Sequence, residues 1–390
     1  MYKIGKNNTV LISGSSHELL AQNISSYLNI PLTPCLRKQF ANTEWNIKIQ
    51  ENIRNKDVFI IQTGSFDKEK NMSINDFIME TVILINACRY SSCGKITLIM
   101  PCYPYARGDK KDAARTPISS RAIADILNID RLVTIDLHSG QQQGFFSVPV
   151  DNIYSCDLVK EYFQNTIFKG MSSESKNKKY VIVSPDEGAV KRTLKFAGSL
   201  GIKNYEFCHK QRTFDKPGVI ASMKLLGICD LSGMSAIICD DMCDSGGTLM
   251  KCVDLLVQKG VKEVYCVITH GIFTKNALQM INENPYIKRF IVTDTLPQEH
   301  HMEICSKLEV ISVAELLGEI MNCLSSGESI SELSCFKNLK PNMYLRNLNK
   351  KSKQGKLNLK EQNNNLNNSN NLNYSNSTLE KEFNTFMKNT

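Results

Sequence analysis

Apolar residues in this chain recur with two periods. Short, nearly continuous runs rich in β-branched residues ("VLIS" at 10–13, "VFII" at 58–61, "ITLI" at 96–99, "YVIVS" at 180–184, "AIIC" at 236–239, "VYCVIT" at 264–269) each give way to a small-residue or polar loop. Beyond most of these loops, apolar residues return at helical spacing. Runs without polar alternation belong to strands buried on both faces, so the pattern predicts an α/β protein whose mostly parallel sheets are flanked by helices. The number of runs fits two consecutive sheets, expected over residues 1–155 and 156–311 with the break near 152–157, and residues 312–336 are expected to pack back onto the first. The charged stretch "GMSSESKNKK" at 170–179 reads as an exposed loop or insertion. Nearly all side chains of chemical interest follow a strand end, the edge at which open α/β sheets bind ligands.

From about residue 338 the periodicity stops. The segment around "EQNNNLNNSNNLNYSNS" is Asn-rich and poor in branched apolar residues, so it is expected to be disordered, because it cannot bury enough surface to offset its ordering entropy. This tail also explains the charge. Of the net +8, five positive charges come from residues 341–390, with eight Lys/Arg against three Glu, so the basicity is no nucleic-acid footprint and no nucleic-acid partner is expected. No apolar run approaches the roughly 18 residues of a membrane span, and the first apolar stretch is too short for a secretory signal. No membrane partner and a cytoplasmic location are therefore expected. Several of the 14 cysteines lie inside apolar runs and none forms a C-x-x-C pair, which suits reduced, core-packing thiols.

The most informative stretch is "IICDDMCDSGGTL" at 237–249. Residues 237–239 are expected to finish a buried strand, Gly246 and Gly247 permit a turn with positive φ, and "TLMKCVDLLVQKG" has helical spacing up to Gly260. Backbone N–H groups leading into a helix N-terminus form an anion site, with the Ser245 and Thr248 hydroxyls as further donors, so a phosphate belongs at 244–248. Asp240 and Asp241 stand earlier, where they can accept hydrogen bonds from hydroxyls or help hold a divalent cation. A phosphorylated sugar reconciles an anion site with neighbouring carboxylates, since it offers a phosphate at one end and a diol a few ångströms away.

"DDMCDSGGT" resembles the phosphoribosyl-pyrophosphate binding motif. Together with "SGSSHELLAQNI", "PCYPYARGDKKDAARTPIS", "DLHSGQQQGFF", "VDNIY", "VSPDEGAVKR", "THGIF" and "TLPQ", in that family's order, it makes the chain resemble the ribose-phosphate diphosphokinase (phosphoribosyl pyrophosphate synthetase) family from the N-terminus to about residue 333. The resemblance implies two tandem phosphoribosyltransferase-like domains and transfer of the diphosphoryl group of ATP to the 1-hydroxyl of ribose 5-phosphate, releasing AMP. It further implies Mg2+ as cofactor, held by His138 and Asp186, with Lys210 and Arg212 as the cations of a mobile catalytic loop. ATP would be bound by Phe40, Asn42, Glu44, Arg107, Asp112 and His138, with the adenine recognised from a neighbouring subunit, and ribose 5-phosphate by Asp240, Asp241, Asp244, Ser245, Gly246, Gly247 and Thr248. Read without the resemblance, Phe40 is a core residue, "ARGDKKDAAR" a solvated loop and "HKQRTFDKPG" an exposed basic loop.

A homo-oligomer of dimers assembled into a hexamer is expected on the same ground, as is regulation by phosphate or ADP at a site that draws on Arg54, Ser329 and Ser331. Asn52 and Gly140 stand where the family commonly has serine, which predicts an altered allosteric response. Gly108, Glu187 and Val190 are further departures, the first in the nucleotide loop and the others in the pyrophosphate loop. Two other readings compete. A non-catalytic regulatory homologue should have lost loop cations or metal residues, whereas Lys210, Arg212, His138 and Asp186 are all present. A phosphoribosyltransferase would share "DDMCDSGGT", but it would carry a base-binding hood on one sheet instead of two sheets, a strand-end histidine and "FANTEW".

Overall fold

The computed structural model describes residues 8–67, 70–212, 220–227 and 229–330, without the side chains of 211, 212 and 220–222. The expectations for Ser331, for the tail from 338 and for the 213–219 segment therefore lie outside the described residues, as does the side chain of Arg212.

The N-terminal half holds β1 (Thr9–Ser13), the antiparallel hairpin β2 (Cys35–Gln39) and β3 (Trp45–Ile49), then β4 (Asp57–Ile61), β5 (Ile96–Ile99), β6 (Arg131–Ile135) and β7 (Val150–Ile153). Apart from the hairpin, these strands make one parallel sheet in the order β1-β4-β5-β6-β7. The C-terminal half holds β8 (Tyr180–Ser184), β9 (Tyr205–Arg212), β10 (Ile220–Leu226), β11 (Ser235–Cys243), β12 (Glu263–Gly271), β13 (Ile287–Thr293) and β14 (Leu308–Ile311). Their order is β10-β9-β8-β11-β12-β13-β14, parallel except that β10 runs antiparallel on one edge.

The apolar runs form strands because both faces are covered. Leu11, Ile12, Ile60, Leu98, Val133, Ile182, Ile237 and Ile291 are buried, and each such side chain stabilises the fold by about 1.5–3 kcal/mol. One core cluster is continuous across both halves, joining Leu20, Ala21 and Ile24 of the helix Glu18–Leu28 to Leu317, Ile320 and Met321 of the helix Ala314–Ser326. These two helices meet closely: a Cβ at Gly318 would collide with the Tyr27 ring, and the Tyr27 hydroxyl bonds Glu319.

Three expectations need correction. The stretch 170–179 is not a loop throughout, for a helix runs Ser173–Lys179. Its high charge concealed ordinary helix signals: Ser172 caps Ser175 N, and Glu174 and Lys178 pair at 2.7 Å, one turn apart. Strand β11 does not stop at residue 239. It continues through the two aspartates to Cys243 because β12 offers it a partner all along, with Asp240 opposite Ile268 and Met242 opposite His270. Lys210 and Arg212 lie not in a loop but on β9, with Lys210 opposite Met223 of β10.

Candidate active site

The residues that follow the strand ends of one sheet touch those of the other. His17 Nε2 is 2.9 Å from the carbonyl oxygen of Asp294, and the Thr63 hydroxyl donates to the carbonyl oxygen of Thr295 at 2.7 Å. Asp136, just beyond β6, is buried and sits at φ 44°, in the left-handed region that Asp tolerates better than most residues. Its Oδ2 accepts from the Ser155 hydroxyl at 2.5 Å and from the Thr269 hydroxyl of β12 at 2.7 Å. Buried carboxyl and hydroxyl groups of this kind are stable only when fully partnered, so the two edges are held in register by polar contacts as well as by the core.

Within this seam β11 presents its acidic pair. Asp241 is buried, with Oδ2 at 2.7 Å from His138 Nδ1 and Oδ1 at 3.2 Å from Arg192 Nη1. Burial opposes its ionisation, but the hydrogen bond from His138 and the charge of Arg192 outweigh it and hold the carboxyl below the usual carboxylate range. His138 is shifted upward, first by that hydrogen bond and against its own partial burial. Asp240 behaves oppositely: burial, then the negative charges of Asp241 and Asp186, push it well above the usual range. Two adjacent carboxylates thus divide into one charged and one that resists ionisation, the pattern of a site that handles protons and cations.

On either side stand the elements expected to meet phosphate. The helix Gly247–Gln258 begins at Gly246, whose φ of 75° favours glycine, and no side chain caps it, so its first N–H groups remain available to an anion. Ser245 and Thr248 flank this turn. Asp244 is fixed by the Thr274 hydroxyl at 2.5 Å and by Arg107 Nη1 at 2.7 Å. Arg107, expected on the nucleotide, is therefore paired with a residue expected on the sugar, across 137 positions of sequence. The loop after β8 carries Asp186, whose Oδ1 accepts from Ala189 N at 3.1 Å and whose Oδ2 lies 2.7 Å from Lys210 Nζ. Beside this pair, Glu187 bonds His209.

Other expected residues stay apart from the seam. Phe40, Asn42 and Glu44 occupy the tip of the β2–β3 hairpin, where their hydrogen bonds close the turn: Phe40 N to Glu44 O at 2.8 Å and Glu44 N to Asn42 Oδ1 at 3.3 Å. Phe40 is 53% exposed, which overturns its reading as core. Asp112 is exposed and 3.6 Å from Lys110, Arg54 is exposed beside Asn52, which accepts Arg54 N at 3.0 Å, and Ser329 is exposed beyond the helix Ala314–Ser326. At Gly108 a Cβ would strike the Ser119 hydroxyl, so a larger residue there requires Ser119 to turn away; around Gly140 the space is open.

Sequence reasoning missed Arg192. "VSPDEGAVKR" contains it, but a helical arginine gives no signal of its role until β11 is placed beside it, 49 positions downstream.

Among the described residues, no cluster of three or more His, Cys, Asp or Glu side chains is placed to hold a cation. Asp186 offers carboxylate oxygen, and His138, held through Nδ1, keeps Nε2 for a ligand. The carboxylate suits a hard cation that takes its remaining ligands from water and phosphate, and the imidazole is the softer donor of the two.

These features describe an α/β protein with an uncapped glycine turn at a helix start beside an acidic strand end, a layout that suits a phosphoryl-transfer enzyme. Comparison with known proteins identifies it further. Residues 9–129 match the model of the N-terminal domain of ribose phosphate pyrophosphokinase, and residues 199–335 match that of the phosphoribosyl synthetase-associated domain. A crystal structure of phosphoribosylpyrophosphate synthetase from Mycobacterium smegmatis is 35% identical, covers 82% of this chain and 99% of its own, and superposes with a TM-score of 0.72. Adenine phosphoribosyltransferase from Saccharomyces cerevisiae, at 16% identity over 34% of this chain and 74% of its own with a TM-score of 0.25, is too distant to weigh. The chain belongs to the ribose phosphate pyrophosphokinase family, as a ribose-phosphate diphosphokinase that transfers the diphosphoryl group of ATP to the 1-hydroxyl of ribose 5-phosphate.

Proposed function

We propose that this transfer takes place in the seam between the two sheet edges. Ribose 5-phosphate binds with its phosphate on the N–H groups and hydroxyls of Ser245, Gly246, Gly247 and Thr248, and with its ring hydroxyls toward Asp240, Asp241 and Asp244. The arrangement that supports this most directly is the uncapped helix start at Gly246 beside the carboxylates of β11, a donor-rich pocket next to an acceptor-rich one. ATP binds with its phosphates toward Arg107 and His138, with Asp112 nearby in the nucleotide loop. Its adenine stacks on Phe40, with Asn42 and Glu44 at the base edge, from the hairpin of a neighbouring copy. An aromatic ring left 53% exposed at a hairpin tip suits a hexamer built of dimers in this way. The two domains divide at about 155, with 312–336 serving the first.

The chemistry is an in-line displacement. The 1-hydroxyl oxygen of the ribose attacks the β-phosphorus of ATP and gives up its proton. The bond from the β-phosphorus to the oxygen shared with the α-phosphorus breaks, and AMP departs with that oxygen. The protein makes no covalent bond, so its contribution is position and charge. Lys210 and Arg212 receive the negative charge that redistributes over the transferred group. His138 and Asp186 would hold Mg2+, which when bound would add charge neutralisation on the phosphate oxygens. Phosphate and ADP act at a separate site that includes Arg54, Ser329 and Ser331, with a response altered by Asn52 and Gly140. No described helix is long and apolar enough to cross a membrane, and cytoplasmic work is the reading we adopt.

The direct test incubates purified protein with ATP, magnesium and ribose 5-phosphate. AMP should form in step with phosphoribosyl pyrophosphate, and initial rates should respond weakly or abnormally to added inorganic phosphate. ATP consumed to ADP and phosphate without that product would contradict the proposal.

A further inference from the structure

The loop after β8 meets β9 twice, and the two meetings lie on opposite faces of the strand. β9 pairs with β8 only as far as Phe207, opposite Ser184, where β8 ends. Beyond that point residues 208–212 have β10 on one edge and, among the described residues, no strand on the other. The loop 185–189 supplies side chains there instead: Asp186 Oδ2 lies 2.7 Å from Lys210 Nζ, and Glu187 bonds His209 Nδ1. Asp186 is itself fixed, since the Ser184 hydroxyl donates to its carbonyl oxygen at 2.6 Å and its Oδ1 accepts from Ala189 N at 3.1 Å. Successive side chains of a strand point to opposite faces, so His209 and Lys210 leave β9 on different sides. Lys210 shares its face with Cys208, whose Sγ is 3.4 Å from Cys252 Sγ on the helix Gly247–Gln258, the helix whose start is the proposed phosphate seat. Two consecutive loop carboxylates therefore grip two consecutive strand residues from both faces, and the strand cannot turn about its axis without breaking one of the grips.

We propose that Glu187 is a positioning residue: through His209 it anchors the far end of β9 to the loop and so keeps Lys210, on the opposite face, turned toward the phosphate seat and over Asp186. This rests on the catalytic role given to Lys210 above and adds the group that holds it in place. Glu187 acts through the strand and touches no reacting atom. Its side chain is 73% exposed, and exposed ion pairs are weak and screened by salt, so the anchor shifts a population of strand conformers and does not secure the fold.

Turnover, salt dependence and amide exchange test this together. With both substrates saturating, Glu187→Ala should lower kcat by about twofold to fivefold, the range open to one exposed ion pair, while KM for ribose 5-phosphate and Tm stay close to native. Glu187→Gln, which keeps an acceptor for His209, should recover part of the loss. His209→Ala should match Glu187→Ala, and the double variant should be no worse than either, because the pair acts as one unit. The native-to-variant ratio of kcat should approach one at about 1 M salt, where screening acts within about 3 Å. In hydrogen–deuterium exchange on the free protein, the segment 207–212 should exchange faster in Glu187→Ala by a similar factor, with 180–184 unchanged. Unchanged exchange at 207–212, a native or higher kcat, or losses that add in the double variant would overturn the inference. If Lys210→Ala turns over near the native rate, the role of Lys210 fails, and exchange at 207–212 still decides the anchor: faster exchange in Glu187→Ala supports it and unchanged exchange removes it.

Discussion

The loop at 244–248 and the hairpin tip at 40–44 both have ligands assigned to them, and they are held in very different ways. Around the loop, Asp244 is tied to Thr274 and Arg107, β11 is paired on both edges, and the neighbouring Asp241 is held by His138 and Arg192. At the tip, hydrogen bonds close only the turn itself, and Phe40 presents its face to solvent. The hairpin's anchoring lies further down: Arg37 of β2 reaches Ser13 O at 2.7 Å and the buried Glu80 at 3.4 Å. The chain thus holds the proposed sugar-phosphate side by contacts of its own and leaves the proposed adenine side exposed. Preorganisation lowers the ordering cost of binding, so the first side should bind its ligand as a folded unit and the second only in an assembly.

Substitutions on the preorganised side should have the larger consequences. Lys210→Ala should lower kcat by about 10²–10³, the scale of losing one preorganised charge aimed at a transition state, with little change in Tm. Near-native turnover would refute the role given to this side chain. Next, Asp244→Ala removes the partner of both Thr274 and Arg107, and should raise KM for ribose 5-phosphate by about tenfold to a hundredfold, since hydrogen bonds to charged groups are each worth about 1.5–3 kcal/mol. A Tm lower by a few degrees should accompany it, readable by differential scanning calorimetry. On the open side, Phe40→Ala should raise KM for ATP by up to about tenfold through lost stacking, with Tm unchanged and KM for ribose 5-phosphate untouched. If Phe40→Ala instead lowers Tm by several degrees, the tip is part of the core after all and the contrast fails.

The last effect concerns the seam itself and leaves catalysis unchanged. Burial raises Asp294 from its ordinary 3.8 to about 6. The folded chain therefore keeps this proton more tightly than the unfolded one. The corresponding stability is fully present below about pH 4 and is lost as pH rises through about 6, on the order of 3 kcal/mol before other groups are counted. Asp294→Asn preserves the acceptor for Val313 N, 2.6 Å away, and should flatten the dependence of Tm on pH between about 4 and 6.

The sheet strands were legible in the sequence because continuous apolar runs have few other uses, and the turn before the helix Gly247–Gln258 because Gly246 needs a conformation open to few other residues. What escaped was set by contacts distant in sequence. Acidic residues seldom form strands, yet Asp240 and Asp241 extend β11 because β12 pairs with them. The pairing of Arg107 with Asp244, and of Arg192 with Asp241, likewise depends on the two edges meeting, which no local pattern encodes. The helix Ser173–Lys179 is different, since its cap and its Glu174–Lys178 spacing were present in the sequence and were outweighed by the charge around them.

The central claim is that the start of the helix Gly247–Gln258 is the phosphate seat of the sugar. It is tested most directly by a crystal structure of the full chain with ribose 5-phosphate. The account predicts the phosphate within hydrogen-bond distance of the backbone N–H groups at 245–248 and the ring hydroxyls turned toward Asp240. A sugar phosphate bound away from that turn, with the turn occupied by solvent, would contradict it.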